Sequence, residues 1–134
     1  MILIQGQGVS KGVEKGKLYF FQRPNTTVVK VENANVDAEK ERLAQAQNKS
    51  MAQLEALAEK CREEAGDESA VLFETHAMFV EDEDYVESIL ETLQEEHCNA
   101  EYAVEKAGEQ FAAMFAAMED SYMQARAADV KDVT

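Results

Sequence analysis

The sequence predicts a mainly α protein, an antiparallel helical bundle preceded by short N-terminal β strands. Strong helix formers dominate from about residue 36 onward, and apolar residues recur there at three- and four-residue spacing. Four of the six glycines lie within the first 16 residues, and the only proline is Pro24, so most of the helix breakers precede the helical part. The 134 residues are enough for one domain with a hydrophobic core.

The first 21 residues predict two short strands, at residues 2–4 and 17–21, separated by a glycine-rich turn. A third candidate strand, residues 26–31, is β-branched and short. Two strands joined by a turn are only marginally stable in water. We therefore expect further sheet partners outside this chain.

Residues 35–80 predict two helices joined at a glycine. Asn35 or Asp37 is placed to cap the first helix, and Gly66 is typical of its C-terminal end. A second helix is predicted from about residue 68 to residue 80, apolar on more than one side.

Three further helices are predicted. The acidic residues 81–84 precede the third and favour the positive end of its dipole, and they lack the glycine and distant glutamate of a calcium loop. Asn99 predicts the N-cap of the fourth helix. Residues 122–132 stay helical in composition without a terminator, so we expect Thr134 not to be a natural end.

The formal net charge is −14, from 13 Lys and Arg against 27 Asp and Glu. Such a surface repels phosphate backbones and anionic membranes, which disfavours binding to nucleic acid or to a membrane. It would attract a partner with a positive face, and salt would weaken that attraction.

The two cysteines, Cys61 and Cys98, form neither a disulfide framework nor a paired metal motif. Both lie in helical patterns, which favours small apolar packing residues in a reducing compartment. The apolar residues 1–4 are too few for a signal peptide, and no segment is long enough to span a membrane. We therefore expect a cytoplasmic protein.

No cofactor or metal site is predicted within the chain. The glycine-rich residues 6–12 match neither the dinucleotide fingerprint nor the phosphate-binding loop, which favours a tight turn. His76 and His97 lack the upstream glutamates of a di-iron bundle, because Phe73 and Gln94 stand in those places. A surface or helix-packing role is therefore favoured for both histidines.

Methionines and phenylalanines in the helical part allow two interpretations. The residues are Met78, Phe79, Met114, Phe115, Met118 and Met123. They would either pack in the core or form a partly exposed, adaptable binding face. The sequence leaves both open.

Four blocks occur in order along the chain. Residues 8–16 carry the pattern Gly-x-Ser-x-Gly-x-x-x-Gly, with Lys11 at its fourth position. Residues 73–82 read Phe-Glu-Thr-His-Ala-Met-Phe-Val-Glu-Asp, and residues 99–104 read Asn-Ala-Glu-Tyr-Ala-Val. Residues 122–133 read Tyr-Met-Gln-Ala-Arg-Ala-Ala-Asp-Val-Lys-Asp-Val.

Together these blocks resemble Enzyme I of the bacterial phosphoenolpyruvate-dependent sugar phosphotransferase system. That family has proline in place of Lys11 and glutamate in place of Ala125. Its members move phosphate from phosphoenolpyruvate to their own histidine and then to a histidine of the small carrier HPr. The resemblance spans the chain in register from near its first residue to its last.

The resemblance implies that the chain is an N-terminal segment of such a transferase. Residues 1–21 would be the first strands of an incomplete α/β swivelling domain, and residues 22–134 a helical HPr-binding domain. The active histidine, and the site for phosphoenolpyruvate and magnesium, would lie in parts of the parent enzyme that this chain lacks. The segment alone is then expected to be inactive, and the parent is expected to dimerise through its C-terminal part.

The resemblance also implies twelve candidate contact residues for HPr, which mix apolar and acidic types at helical spacing. They are Asp67, Glu68, Val71, Leu72, Glu74, Thr75, Met78, Phe79, Asp82, Asp84, Tyr85 and Arg126. This mixture suits an apolar contact ringed by carboxylates that faces a basic partner. His76 lies beside this face, and its role is left open.

Other functions remain as alternatives. The chain could be a freestanding acidic helical adaptor without a phosphotransfer role, or, less favoured, a metal-dependent bundle enzyme. A paralogue in a nitrogen-linked system or in a dihydroxyacetone kinase system would share the same module. The sequence does not name the sugars that a sugar-linked enzyme would serve.

Overall fold

The structure is a computed structural model that describes residues 5, 7, 11–12, 15–17, 19–20 and 27–134. This part of the chain forms five helices, which confirms the mainly α prediction. They are α1 Val36–Ala65, α2 Asp67–Val80, α3 Glu83–Glu96, α4 Ala100–Ala116 and α5 Ser121–Val133. None of these five helices is long and apolar enough to cross a membrane.

The predicted N-terminal strands fall largely outside the described residues. Residues 2–4 are not described, and residues 17–21 are described only at 17, 19 and 20, none of which is in a strand. The third candidate was wrong where it is described, because residues 27–31 have no regular structure. The backbone N–H of Val31 donates to Asn99 Oδ1 at 2.8 Å, which ties this segment to the N-terminal end of α4.

Helix α1 begins and ends where its local sequence predicts. The side chain of Asn35 accepts hydrogen bonds from the backbone N–H groups of Asp37 and Ala38, at 3.1 and 3.2 Å. At the other end Gly66 has φ 90° and ψ 170°, a conformation that is essentially restricted to glycine. Both boundary predictions for α1 are confirmed.

Helices α1 and α2 form an antiparallel pair around Gly66. Near the turn, Arg62 Nε lies 3.2 Å from the Asp67 carboxylate. At the far end of the pair, Gln47 Nε2 donates to the carbonyl oxygen of Val80 at 2.8 Å. Helix α5 packs against both α4 and α2, and this packing brings residues near 76 and 126 together.

The core lies where α3 meets α4. Its buried members are Tyr85, Ile89, Leu93, Cys98, Ala103 and Ala107. The small alanines of α4 allow close approach of α3, and an aromatic cluster extends the core toward α2. In that cluster Phe79 lies 5.1 Å from Tyr85 and 6.1 Å from Phe115, measured between ring centroids. Cys98 is buried and Cys61 is half-buried, and both are free thiols.

Candidate docking groove between helices α2 and α5

A groove of about 290 Å³ lies between the end of α2 and the start of α5. We call it the α2–α5 groove, and its lining residues come from α2, α4, α5 and the N-cap of α3. They are Thr75, Met78, Phe79, Asp82, Phe115, Tyr122, Met123 and Arg126. Five of the twelve candidate contact residues therefore line one feature, although Arg126 is 44 positions from Asp82 in sequence.

The groove exposes apolar surface at its edges. Met78 on α2 is 74% exposed, and Tyr122 on α5 is 65% exposed. Phe79 and Phe115 lie deeper and join the aromatic cluster of the core. Exposed apolar side chains grouped in a concave site are typical of a surface that binds another molecule.

Arg126 is held in the groove by two neighbours on its own helix. Its Nη2 donates to the Tyr122 hydroxyl at 2.6 Å, and its guanidinium carbon lies 5.0 Å from the centroid of that ring. Its Nη1 lies 3.5 Å from Asp129 Oδ2. These residues are four before and three after Arg126, which places all three on one face of α5.

The two histidines occupy different environments. His76 is 7% exposed between α2 and α5, and its Nε2 lies 3.5 Å from Asp129 Oδ1. His97 follows the last residue of α3 with φ 47°, and its side chain is exposed. His76 therefore lies in a helix contact and His97 at the surface, the two kinds of position that the sequence favoured for them.

The beginning of α2 carries a second group of the candidate residues. Val71 and Leu72 are about half-exposed, and Asp67, Glu68 and Glu74 are exposed. Arg62 of α1 pairs with Asp67 and Glu74 of this group, and also with Glu59. We call these four residues the Arg62 cluster. A cation thus already lies beside Asp67 and Glu74, two carboxylates that the resemblance implies as contacts for a basic partner.

Tyr85 and Asp84 lie outside the groove. Tyr85 is 4% exposed, and its hydroxyl is 3.1 Å from Thr134 Oγ1. Burial raises the pKa of the Tyr85 phenol, opposed by that hydrogen bond. The structure therefore places Tyr85 in the core. Asp84 is exposed in the first turn of α3, next to Asp82, which caps that helix at the N–H of Tyr85.

The described residues contain no group of three or more His, Cys, Asp or Glu side chains placed to hold a metal ion.

The open question about the methionines and phenylalanines has a divided answer. Met78 and Met114 are exposed, at 74% and 47%, whereas Phe79 packs in the aromatic cluster.

Tyr122 and Arg62 were not among the candidate residues. The four-residue spacing of Tyr122 and Arg126 could have indicated the first, but the pairing of Arg62 with α2 depends on how α1 and α2 pack.

The fold and the groove define a helical domain with an aromatic-lined cleft beside exposed carboxylates. The chain belongs to the family described as PEP-utilising enzyme, N-terminal, which matches residues 5–126. Phosphoenolpyruvate-protein phosphotransferases of Priestia megaterium and Geobacillus stearothermophilus are each 37% identical to it over 131 residues. These matches cover 98% of the chain but 23% of each relative, so the chain spans about a quarter of their length.

One solved structure supports this family, and a second supports the fold. A structure described as an NMR solution structure of Enzyme I (nEIt) matches with a TM-score of 0.76 and 30% identity, over 84% of this chain and 45% of the other. The N-terminal domain of Enzyme 1 - Nitrogen matches with a TM-score of 0.72 over 79% of this chain and 44% of the other. At 24% identity, the second likeness shows the fold alone.

Proposed function

We propose that this chain is the carrier-docking part of a phosphoenolpyruvate-protein phosphotransferase and that it binds the phosphocarrier HPr. The observation that carries this proposal is the α2–α5 groove, which gathers Met78, Phe79 and Arg126 beside the carboxylate of Asp82. In a protein interface, apolar and aromatic groups of this kind form the centre and charged groups the rim. The name of the curated relatives, phosphoenolpyruvate-protein phosphotransferase, supports a protein as the phosphate acceptor. The resemblance to Enzyme I implies that this protein is HPr.

In this proposal the parent enzyme takes phosphate from phosphoenolpyruvate, with magnesium, onto a histidine that lies outside the chain. The docked carrier then receives the phosphate on its own histidine. His76 is unsuited to accept phosphate, because its Nε2 is buried and faces a carboxylate. The chain holds the carrier in position for the transfer. Holding two reacting groups in place is itself a large part of catalysis. Dimerisation of the parent through its C-terminal part and a cytoplasmic location belong to the same proposal.

Charge favours a basic partner. The chain carries a net charge of −14, and residues 81–84 beside the groove are four consecutive exposed carboxylates. Opposite charge on two partners speeds their encounter, and this effect weakens as salt screens it. The carrier's docking face is therefore expected to be positive around its phosphate-accepting histidine.

The test is an NMR titration of isotope-labelled HPr from the same organism with this chain, at low and at moderate salt. We expect shifts that cluster around the carrier's active histidine and weaken as salt is added. If a folded chain at high concentration causes no shift, the docking proposal fails. The freestanding acidic adaptor would then be the better account.

A further inference from the structure

His76 is a buried group to which docking itself assigns no part. It is 7% exposed, and its Nε2 atom has no hydrogen-bond partner. That atom lies 3.5 Å from Asp129 Oδ1 across the contact between α2 and α5. The distance exceeds that of an ordinary N–H···O bond but is short enough for direct interaction with the carboxylate.

The carboxylate of Asp129 determines which nitrogen of the His76 imidazole favourably carries a hydrogen. A carboxylate only accepts hydrogen bonds, so a nitrogen that faces it is stabilised when it carries a proton. A buried nitrogen that turned its lone pair to Asp129 would remain unpaired, which is costly in a protein interior. His76 is therefore expected to present Nε2–H to Asp129.

Asp129 is shared between this histidine and the groove. Its second oxygen, Oδ2, lies 3.5 Å from Arg126 Nη1, and Arg126 Nη2 donates to the hydroxyl of Tyr122 at 2.6 Å. The four side chains form a continuous polar path from the α2–α5 contact to the groove surface. Arg126 and Tyr122 line the groove, whereas His76 and Asp129 do not.

We propose that His76 is a positioning residue for docking, which holds the Arg126 guanidinium in place through the shared carboxylate of Asp129. The idea rests on the proposed function, because the oriented guanidinium is what the carrier would meet. His76 is 7% exposed and does not line the groove. The proposed effect on binding therefore passes through Asp129 and Arg126.

Two substitutions separate positioning from packing. His76→Gln keeps an N–H donor at a similar reach, whereas His76→Leu keeps most of the volume and removes the donor. We expect His76→Leu to weaken HPr binding about fivefold or more, in the range of coupling between contacting groups, and His76→Gln to stay within about twofold. His97→Asn is the matched control, because asparagine tolerates the positive φ of that exposed site.

A readout without the carrier keeps the two proposals distinguishable. The Arg126 Nε–H signal of the free chain should shift or broaden in His76→Leu and in Asp129→Asn, and should be retained in His76→Gln. An unchanged Arg126 signal in His76→Leu would overturn the positioning role, even if docking stands. The effect of His76→Leu on HPr affinity should also disappear in a chain that carries Arg126→Met. If His76→Leu causes the same loss of affinity in both backgrounds, the positioning role is overturned as well. If the unmodified chain fails to bind HPr, docking fails while the Arg126 signal still decides the positioning role.

Discussion

Glu39 of α1 caps helix α4, because its Oε2 accepts a hydrogen bond from the backbone N–H of Ala100 at 2.8 Å. Asn99 occupies the N-cap position, but its side-chain oxygen already accepts from Val31 and its amide donates to Glu101. The capping bond therefore comes from 61 residues earlier in the chain. It joins the first long helix to the start of the helix that carries the core alanines.

This relationship predicts a stability loss on removal of the Glu39 carboxylate. Glu39→Ala should destabilise the fold by about 1 kcal/mol, the usual effect of losing a cap, and lower the melting temperature by roughly 2–5 °C. Thermal unfolding followed by circular dichroism measures this change in melting temperature. Glu41→Ala is the matched control on the same helix, since Glu41 is exposed and contacts only Gln45 among the described hydrogen bonds. Equal melting temperatures for the two variants would contradict the long-range cap.

Acid should weaken the ion pairs around Glu96. Hydrogen bonds from Lys106 and then Lys30 lower the pKa of the Glu96 carboxyl below its ordinary 4.5. A group whose pKa is lowered by folding stabilises the fold above its unfolded pKa, and that contribution is lost as pH falls through the folded value. Urea unfolding of the chain and of Glu96→Gln should therefore differ most near neutral pH and converge below about pH 4.5. A constant difference across that range would show that the pairing adds no stability.

Gly66 should be intolerant of a side chain. Its φ of 90° with ψ of 170° is a region that other residues enter only with strain of about 1–3 kcal/mol. Gly66→Ala is expected to lower the free energy of unfolding by such an amount, measured by urea titration. Gly16→Ala is the control, because a Cβ there meets nothing within 4 Å and no positive φ applies. An unchanged free energy of unfolding in Gly66→Ala would mean that the turn between α1 and α2 can readjust.

Local signals predicted the helices better than the contacts between them. Asn35 and Gly66 act on their own turns, so the sequence places both ends of α1. Asn99 occupies the predicted N-cap position, but its side chain makes no capping bond to α4. Its side-chain oxygen accepts instead from the N–H of Val31, which comes near only in the folded chain. The resemblance implied that Tyr85 contacts HPr, and the apolar stripe of α3 that includes Tyr85 packs in the core. The pairing of Arg62 with α2 depends on helix packing, which no single segment encodes, whereas Tyr122 bonds to Arg126 four residues along its own helix.

Arg62 is expected to restrain docking by occupying carboxylates that a basic partner could use. Arg62→Gln changes the net charge from −14 to −15 and frees Asp67 and Glu74. We expect association with HPr to become about two- to fivefold faster at low salt, with the gain disappearing at high salt. Lys49→Gln makes the same change in net charge on an exposed part of α1 and serves as the control. Equal rates for the two variants would show that position within the Arg62 cluster is unimportant.

The central claim, that the α2–α5 groove docks the carrier, is tested most directly by the affinity of Met78→Asp for HPr. Met78 is 74% exposed, so the fold should persist, whereas a charge at Phe79 would enter the aromatic cluster. Val29→Asp adds the same charge at a 69% exposed residue near the start of α4, a helix about 25 Å long whose other end reaches the groove. Calorimetric titration should show a loss of more than about thirtyfold for Met78→Asp, as for a binding hot spot, and little change for Val29→Asp. Unchanged affinity in a folded Met78→Asp chain would contradict the account.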